Sequence, residues 1–138
     1  MLDCLILGDS IAVGTHQTRK ECVAIAKGGI NSWQFNKNNS GEFYANTVII
    51  SLGSNDHKGV NTRKELQDLR ARILSKRVFW ILPAGNLKAG GVPIETIQLI
   101  VQDIAKKNED IVLPIGRLQP DGIHPNGLGY KELGRLTK

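Results

Sequence analysis

The sequence has few cysteines, few aromatic residues and no long apolar run. Its 138 residues include two Cys, two Trp, two Tyr and three Phe. Two cysteines without a CxxC motif form neither a disulfide framework nor a zinc site, and we expect Cys4 and Cys22 to be buried, reduced thiols. So few aromatic residues argue against a stacking platform for single-stranded nucleic acid. Because no run approaches about 18 apolar residues, we expect no membrane span.

The first residues show no basic leader followed by an apolar region. We therefore expect no signal peptide, and the sparse cysteines fit a reducing compartment. Together these two features favour a cytoplasmic location.

Positive charge is in excess, with 18 Lys and Arg against 13 Asp and Glu and a formal net charge of +5. The excess falls in the second half of the chain, which fits either an anionic partner or an ordinary solvated surface. No basic helix carries interleaved aromatic residues, so we expect no nucleic-acid partner.

Length and composition fit one folded domain over residues 1–138, with 41% hydrophobic and 22% charged residues. Five apolar segments predict strands: residues 2–7, 22–26, 47–52, 78–82 and 111–115. Helical patterns between them cover residues 11–19, 62–77 and 93–107, and Asn126 can cap a last helix. Residues 32–43 fit either a short helix or an ordered loop. This alternation predicts an α/β fold: a three-layer α/β/α sandwich around a five-stranded parallel sheet.

Polar residues follow the predicted strands, at the edge of the sheet where parallel α/β folds place their sites. Ser10 follows the first strand, Gly28 and Gly29 the second, Asn55 the third, and Asp121 and His124 lie after the fifth. The glycine-rich residues 85–92 follow the fourth strand and fit either a cover over the site or a plain connection.

These residue types suit attack on a carbonyl carbon. A serine hydroxyl needs a base, and His124 would take its proton while Asp121 orients the imidazole. The developing oxyanion needs fixed donors, and the candidates are the N–H groups of Ser10 and Gly29 and the side-chain amide of Asn55. Taken alone, Ser10 also fits a helix N-cap and Asn55 a turn.

In combination the residues resemble the SGNH hydrolase superfamily, the GDSL-type esterases and lipases. Four blocks occur in family order: GDS at residues 8–10, GGINS at 28–32, GSND at 53–56 and DGIHP at 121–125. The resemblance implies a flavodoxin-like sheet, with Ser10 as nucleophile, His124 as base and Asp121 as its acid. It places Asn55 and either Gly28 or Gly29 in the oxyanion hole. We prefer Gly29, because Ser32 then falls where the family often has a small polar residue.

The resemblance also implies a metal-independent serine esterase that needs no cofactor. The chain is short for the family, which favours an open site and a short acyl group, such as an acetyl ester on a small molecule or a carbohydrate. An acyltransferase that uses the same residues and a non-catalytic binding module of the same fold remain alternatives. Nothing in the sequence pattern indicates an oligomeric state.

Overall fold

The computed structural model describes residues 1–85, 88–89 and 91–138. Seven strands lie within these residues: β1 (Leu2–Gly8), β2 (Val23–Ala26), β3 (Phe43–Ser51), β4 (Ile73–Ile81), β5 (Lys88–Ala89), β6 (Val92–Pro93) and β7 (Ile111–Leu113). The helices between and after them are α1 (Ser10–Thr18), α2 (Ser32–Asn38), α3 (Thr62–Ala71), α4 (Ile94–Lys107) and α5 (Gly127–Leu136).

Five strands form one parallel sheet in the order β2-β1-β3-β4-β7, which confirms the predicted α/β fold. From β1 the chain moves outward to β2 and then returns to the other side of β1 as β3. The order of strands therefore reverses between β1 and β3, and open α/β sheets bind ligands beyond the carboxyl ends of the strands at such a point.

Helices cover both faces of the sheet. Alternate residues of a strand point to opposite faces, so Leu7 and Ile50 pack with α2, α3 and α4, whereas Ile6 and Ile49 pack with α1 and α5. All four side chains are fully buried. Burial on both faces explains why the strands are continuous apolar runs rather than alternating patterns.

The predicted helix over residues 62–77 is wrong beyond Ala71. Helix α3 ends there with Arg72 as C-cap, and Ile73 already pairs with Phe43 across β4 and β3. The local spacing of these residues is helical, but their pairing with β3 makes them a strand. The N-cap of α3 is Asn61, whose side chain accepts a hydrogen bond from the Lys64 amide.

An antiparallel hairpin of β5 and β6 follows β4 and was not predicted. The expected cover over the site involves Asn86, Leu87 and Gly90, which lie outside the described residues. That role for residues 85–92 therefore stays a prediction.

Cys4 and Cys22 form a disulfide, so the prediction of reduced thiols is wrong. The parallel register pairs Leu5 with Val23, which brings the two preceding residues side by side with their Cα atoms 4.7 Å apart. Disulfides are typical of oxidising compartments. The cytoplasmic location stays a prediction against which this bond argues. No helix in the described part of the chain is long and apolar enough to cross a membrane.

Candidate active site

The end of β1 lies tightly against the end of β3. A Cβ atom at Gly8 would overlap the carbonyl oxygen of Ser51, and Gly8 has a φ of 145°, which residues with side chains rarely adopt. The next amide, that of Asp9, donates to the same oxygen at 3.0 Å. Only glycine lets the chain turn at this position, and the turn starts α1 directly at Ser10.

Asp9 is the N-cap of α1, so the capping role considered for Ser10 belongs to its neighbour. Asp9 Oδ1 accepts from the Ile11 amide at 3.0 Å and from Ser51 Oγ at 2.9 Å. The carboxyl group is fully buried, and this burial raises its pKa to about 6. Because Asp9 caps the helix, the hydroxyl of Ser10 is not needed for a capping hydrogen bond.

Ser10 instead contacts a histidine from the far end of the chain. Its Oγ lies 2.8 Å from His124 Nε2, and His124 Nδ1 lies 2.7 Å from Asp121 Oδ2. Asp121 Oδ1 accepts from the amides of Ile123 and His124 at 2.9 and 3.0 Å. These bonds, first that from the Ile123 amide and then that to the imidazole, lower the pKa of Asp121 to about 2. Asp121 is therefore a carboxylate at neutral pH.

Two packed helices bring Ser10 and His124 together. Ser10 opens α1, and His124 precedes α5, whose predicted N-cap Asn126 accepts from the Gly129 amide at 2.9 Å. Helices α1 and α5 pack on each other over one face of the sheet. The three residues predicted from the DxxH and GDS blocks are thus joined by hydrogen bonds.

The GGINS block at residues 28–32, called the glycine segment below, also lies close to Ser10. A Cβ atom at Gly28 would lie 3.8 Å from Cβ of Ser10, while Gly29 has a φ of 80°. Asn55 Nδ2 donates to the carbonyl oxygen of Ile30 at 3.1 Å, which uses one of its two N–H bonds. Asn55 is therefore fixed against the glycine segment, and its second N–H has no partner in the described structure.

Asp56, the last residue of the GSND block, is a positioning residue to which the sequence pattern assigned no role. It is buried and accepts from Ser32 N at 2.8 Å, Ser32 Oγ at 2.6 Å and Thr62 Oγ1 at 2.7 Å. These bonds connect the start of α2, the GSND segment and the start of α3. An acid directly after Asn55, with hydroxyl residues opening two nearby helices, was the available signal.

The site is open to solvent. The side chains of His124 and Asp121 keep 34% and 40% of their surface exposed. The described residues contain no group of three or more His, Cys, Asp and Glu side chains placed to hold a metal ion. The arrangement offers a hydroxyl next to an imidazole, with the imidazole oriented by a carboxylate, which is the geometry of an activated nucleophile.

Solved structures of GDSL proteins share this fold. A GDSL-like lipase from Bacteroides thetaiotaomicron VPI-5482 is 17% identical with a TM-score of 0.67, over 98% of this chain and 84% of that one. A lipolytic protein of the G-D-S-L family from Veillonella parvula DSM 2008 is 14% identical with a TM-score of 0.66, over 98% and 95%. A carbohydrate acetylesterase family member from Sinorhizobium meliloti is 15% identical with a TM-score of 0.59, over 98% and 94%.

No protein-family model matches the sequence, and no curated protein matches it either. At identities this low the likeness to solved structures concerns the fold, and it confirms the predicted resemblance at that level. The chain has the fold of the SGNH hydrolases, the GDSL-type esterases and lipases.

Proposed function

We propose that the protein is a serine esterase that hydrolyses carboxylic esters through an acyl-enzyme. The observation that carries this proposal is the 2.8 Å contact between Ser10 Oγ and His124 Nε2, with Asp121 on the other ring nitrogen at 2.7 Å. The same fold in proteins described as a GDSL-like lipase and as a carbohydrate acetylesterase family member supports it.

The first step forms the acyl-enzyme. Ser10 Oγ attacks the ester carbonyl carbon while His124 Nε2 takes the hydroxyl proton, and Asp121 stabilises the imidazolium. The oxyanion would accept from the Ser10 amide, from the amide of Gly29 or Gly28, and from the second N–H of Asn55. The tetrahedral intermediate then expels the alcohol, which takes its proton from His124.

Water completes the cycle. His124 takes a proton from a water molecule that attacks the acyl carbon, and the collapse of the second tetrahedral intermediate returns the proton to Ser10. The exposed imidazole gives water free access to this step. A sugar or alcohol that replaced water would make the protein an acyltransferase, and product analysis with added acceptors separates the two activities.

A short acyl group suits a small, mostly apolar space near the site. A space of about 20 Å³ has Ser54, Asp56, Ile97 and Ile123 among its lining residues, and Ser54 and Ile123 neighbour Asn55 and His124 in the chain. A volume of this size holds about one water molecule or a methyl group, so an acetyl ester fits and a long chain does not. The carbohydrate acetylesterase family member with this fold supports an acetyl ester of a carbohydrate as the substrate.

The test compares 4-nitrophenyl acetate and octanoate with wild type, Ser10→Ala and the exposed control Ser40→Ala. We expect hydrolysis of the acetate, its loss in Ser10→Ala and its retention in Ser40→Ala. A preference for octanoate would contradict the short acyl group. A serine-reactive phosphonate that failed to label Ser10 in the folded protein would instead favour a non-catalytic binding module.

A further inference from the structure

A cavity of about 340 Å³ opens directly beside the glycine segment. Its lining includes Lys27, Gly29, Trp33, Gln34, Lys37 and Asn38. Volumes of this order are typical of small-molecule sites. Because Gly28, which also lines the cavity, lies against Ser10, a molecule in this cavity adjoins the proposed nucleophile.

The cavity combines an exposed aromatic ring with positive charge. Trp33 is 48% exposed, unlike the chain's other tryptophan, Trp80, which is buried. The Lys37 ammonium lies 4.9 Å from the centre of the Trp33 ring, a cation–π contact that holds charge next to the ring. Lys27 is a second lysine in the lining, and no carboxylate occurs among the residues that line this cavity.

The cavity continues into a second space, and the two together form a groove. An adjoining space of about 230 Å³ shares Lys27, Ile30 and Asn38 with it and runs along Ile25 and Ala26 of the edge strand β2. The space beside Ile123 admits little more than a methyl group, whereas this groove has room for a sugar or a short chain of sugars. The alcohol portion of the ester, which is the larger one, therefore fits the groove. The short acyl group fits the space beside Ile123.

We propose that the groove binds the alcohol portion of the ester and that this alcohol carries a negative charge, as an acidic sugar does. The inference deepens the proposed esterase function and rests on it. Two lysines without a carboxylate attract an anion more strongly than a neutral alcohol. The indole offers an apolar surface beside them, on which a ring of the alcohol would pack.

The first experiment measures kcat/KM for three acetate esters that differ in the charge of the alcohol: 4-acetoxybenzoate, 4-acetoxybenzamide and 4-acetoxyphenyl-trimethylammonium. The variant carries Lys27→Gln and Lys37→Gln. The matched control is Lys20→Gln, an exposed lysine at the opposite end of β2. Comparing ratios between proteins cancels the intrinsic reactivity of each ester.

We expect the benzoate-to-benzamide ratio to fall about five-fold in the double variant at low salt, since each exposed charge contributes modestly. The ratio of the cationic ester to the benzamide should rise in the double variant. Both ratios in Lys20→Gln should match those of wild type. Added salt should reduce the wild-type preference for the anionic ester. Unchanged ratios in the double variant would overturn the inference. Hydrolysis that depends on Ser10 would still support the proposed function in that case.

A binding measurement separates the two proposals when hydrolysis fails. In Ser10→Ala, a galacturonate trimer should change the fluorescence of exposed Trp33, a neutral galactose trimer should not, and Trp33→Leu should remove the signal. Buried Trp80 donates its indole N–H to Asp110 at 2.9 Å and should stay unaffected. If wild type hydrolyses none of the esters, the proposed function fails and this titration alone decides whether the groove binds anions. Equal responses to both trimers would overturn the anionic ligand.

Discussion

Two aspartates beside the site carry carboxyl groups in opposite surroundings. Asp9 is buried under α1, and burial raises its pKa to about 6. Asp121 lies at the surface, and bonds from the Ile123 amide and the His124 ring lower its pKa to about 2. Asp121 therefore keeps its charge at any pH at which an esterase would work, while Asp9 changes charge below neutral pH. Substituting each of these two aspartates is therefore expected to have a different effect.

Asp121→Asn should leave the fold intact and lower kcat by a factor of about 10⁴, by analogy with the serine proteases. The asparagine oxygen still accepts from the Ile123 and His124 amides, so its NH₂ group faces His124 Nδ1. His124 must then accept at Nδ1 and carry its proton on Nε2, where it cannot take the proton of Ser10. Steady-state kinetics and circular dichroism measure the two expectations.

Asp103→Asn is the control for that substitution, because Asp103 forms an exposed ion pair with Arg63. Its kcat should equal that of wild type. An Asp121→Asn protein that is folded and fully active would show that His124 does not need Asp121.

Asp9→Asn should flatten the dependence of stability on pH between about 4 and 6. A buried acid with a raised pKa stabilises the fold below its unfolded pKa of 3.8 and loses that contribution as pH rises through about 6. The shift amounts to about 3 kcal/mol between the two limits. The introduced carboxamide would keep one oxygen for Ile11 and Ser51, and its nitrogen would replace Oδ2, which has no partner in the described structure.

Urea denaturation at pH 4 and pH 7 measures this effect as the difference between wild type and Asp9→Asn. Other titrating groups contribute equally to both proteins and cancel. The free energy of unfolding of wild type should fall by about 2 kcal/mol more than that of the variant, because pH 4 lies just above the unfolded pKa of 3.8. Parallel pH profiles would contradict the raised pKa of Asp9.

At the scale of elements, the sequence predicts strands better than their limits. Continuous apolar segments identified all five strands of the sheet, since residues buried on both faces must be apolar. The boundary between α3 and β4 was missed, because Ile73 and Leu74 continue the helical spacing and only pairing with β3 makes them a strand. The polar residues that follow the strands were predictable from the four sequence blocks. The hydrogen bonds by which Asp56 holds the starts of α2 and α3 depend on contacts between distant parts of the chain.

The disulfide was missed for a related reason, since it depends on the register of β1 and β2. It closes a loop with a sequence separation of 18 residues and ties β1, the strand that precedes Ser10, to the start of the edge strand β2. The double variant Cys4→Ala/Cys22→Ala should lose about 3 kcal/mol of stability on the chain-entropy model. Denaturation curves with and without dithiothreitol measure the loss. The reductant should destabilise wild type and leave the variant unchanged.

At the scale of the whole molecule, the distance between Ser10 and His124 depends on how closely α1 packs on α5. Glycines allow the close approach at two places. A Cβ atom at Gly14 would overlap the ring of Tyr130, and one at Gly134 would overlap the Thr18 hydroxyl. Because Ser10 begins α1 and His124 directly precedes α5, widening this contact should move the proposed nucleophile away from its base.

Gly14→Ala should therefore destabilise the protein and lower kcat. The overlap with Tyr130 costs about 1–3 kcal/mol, which exceeds the gain of about 1 kcal/mol from alanine in a helix. A displacement of Ser10 by about 1 Å can lower the rate about 100-fold. In a Tyr130→Ala background the overlap disappears, so the same Gly14→Ala substitution should raise the free energy of unfolding. Urea denaturation of all four proteins gives the coupling energy. A Gly14→Ala effect of the same sign in both backgrounds would show that the overlap with Tyr130 does not cause the loss of stability.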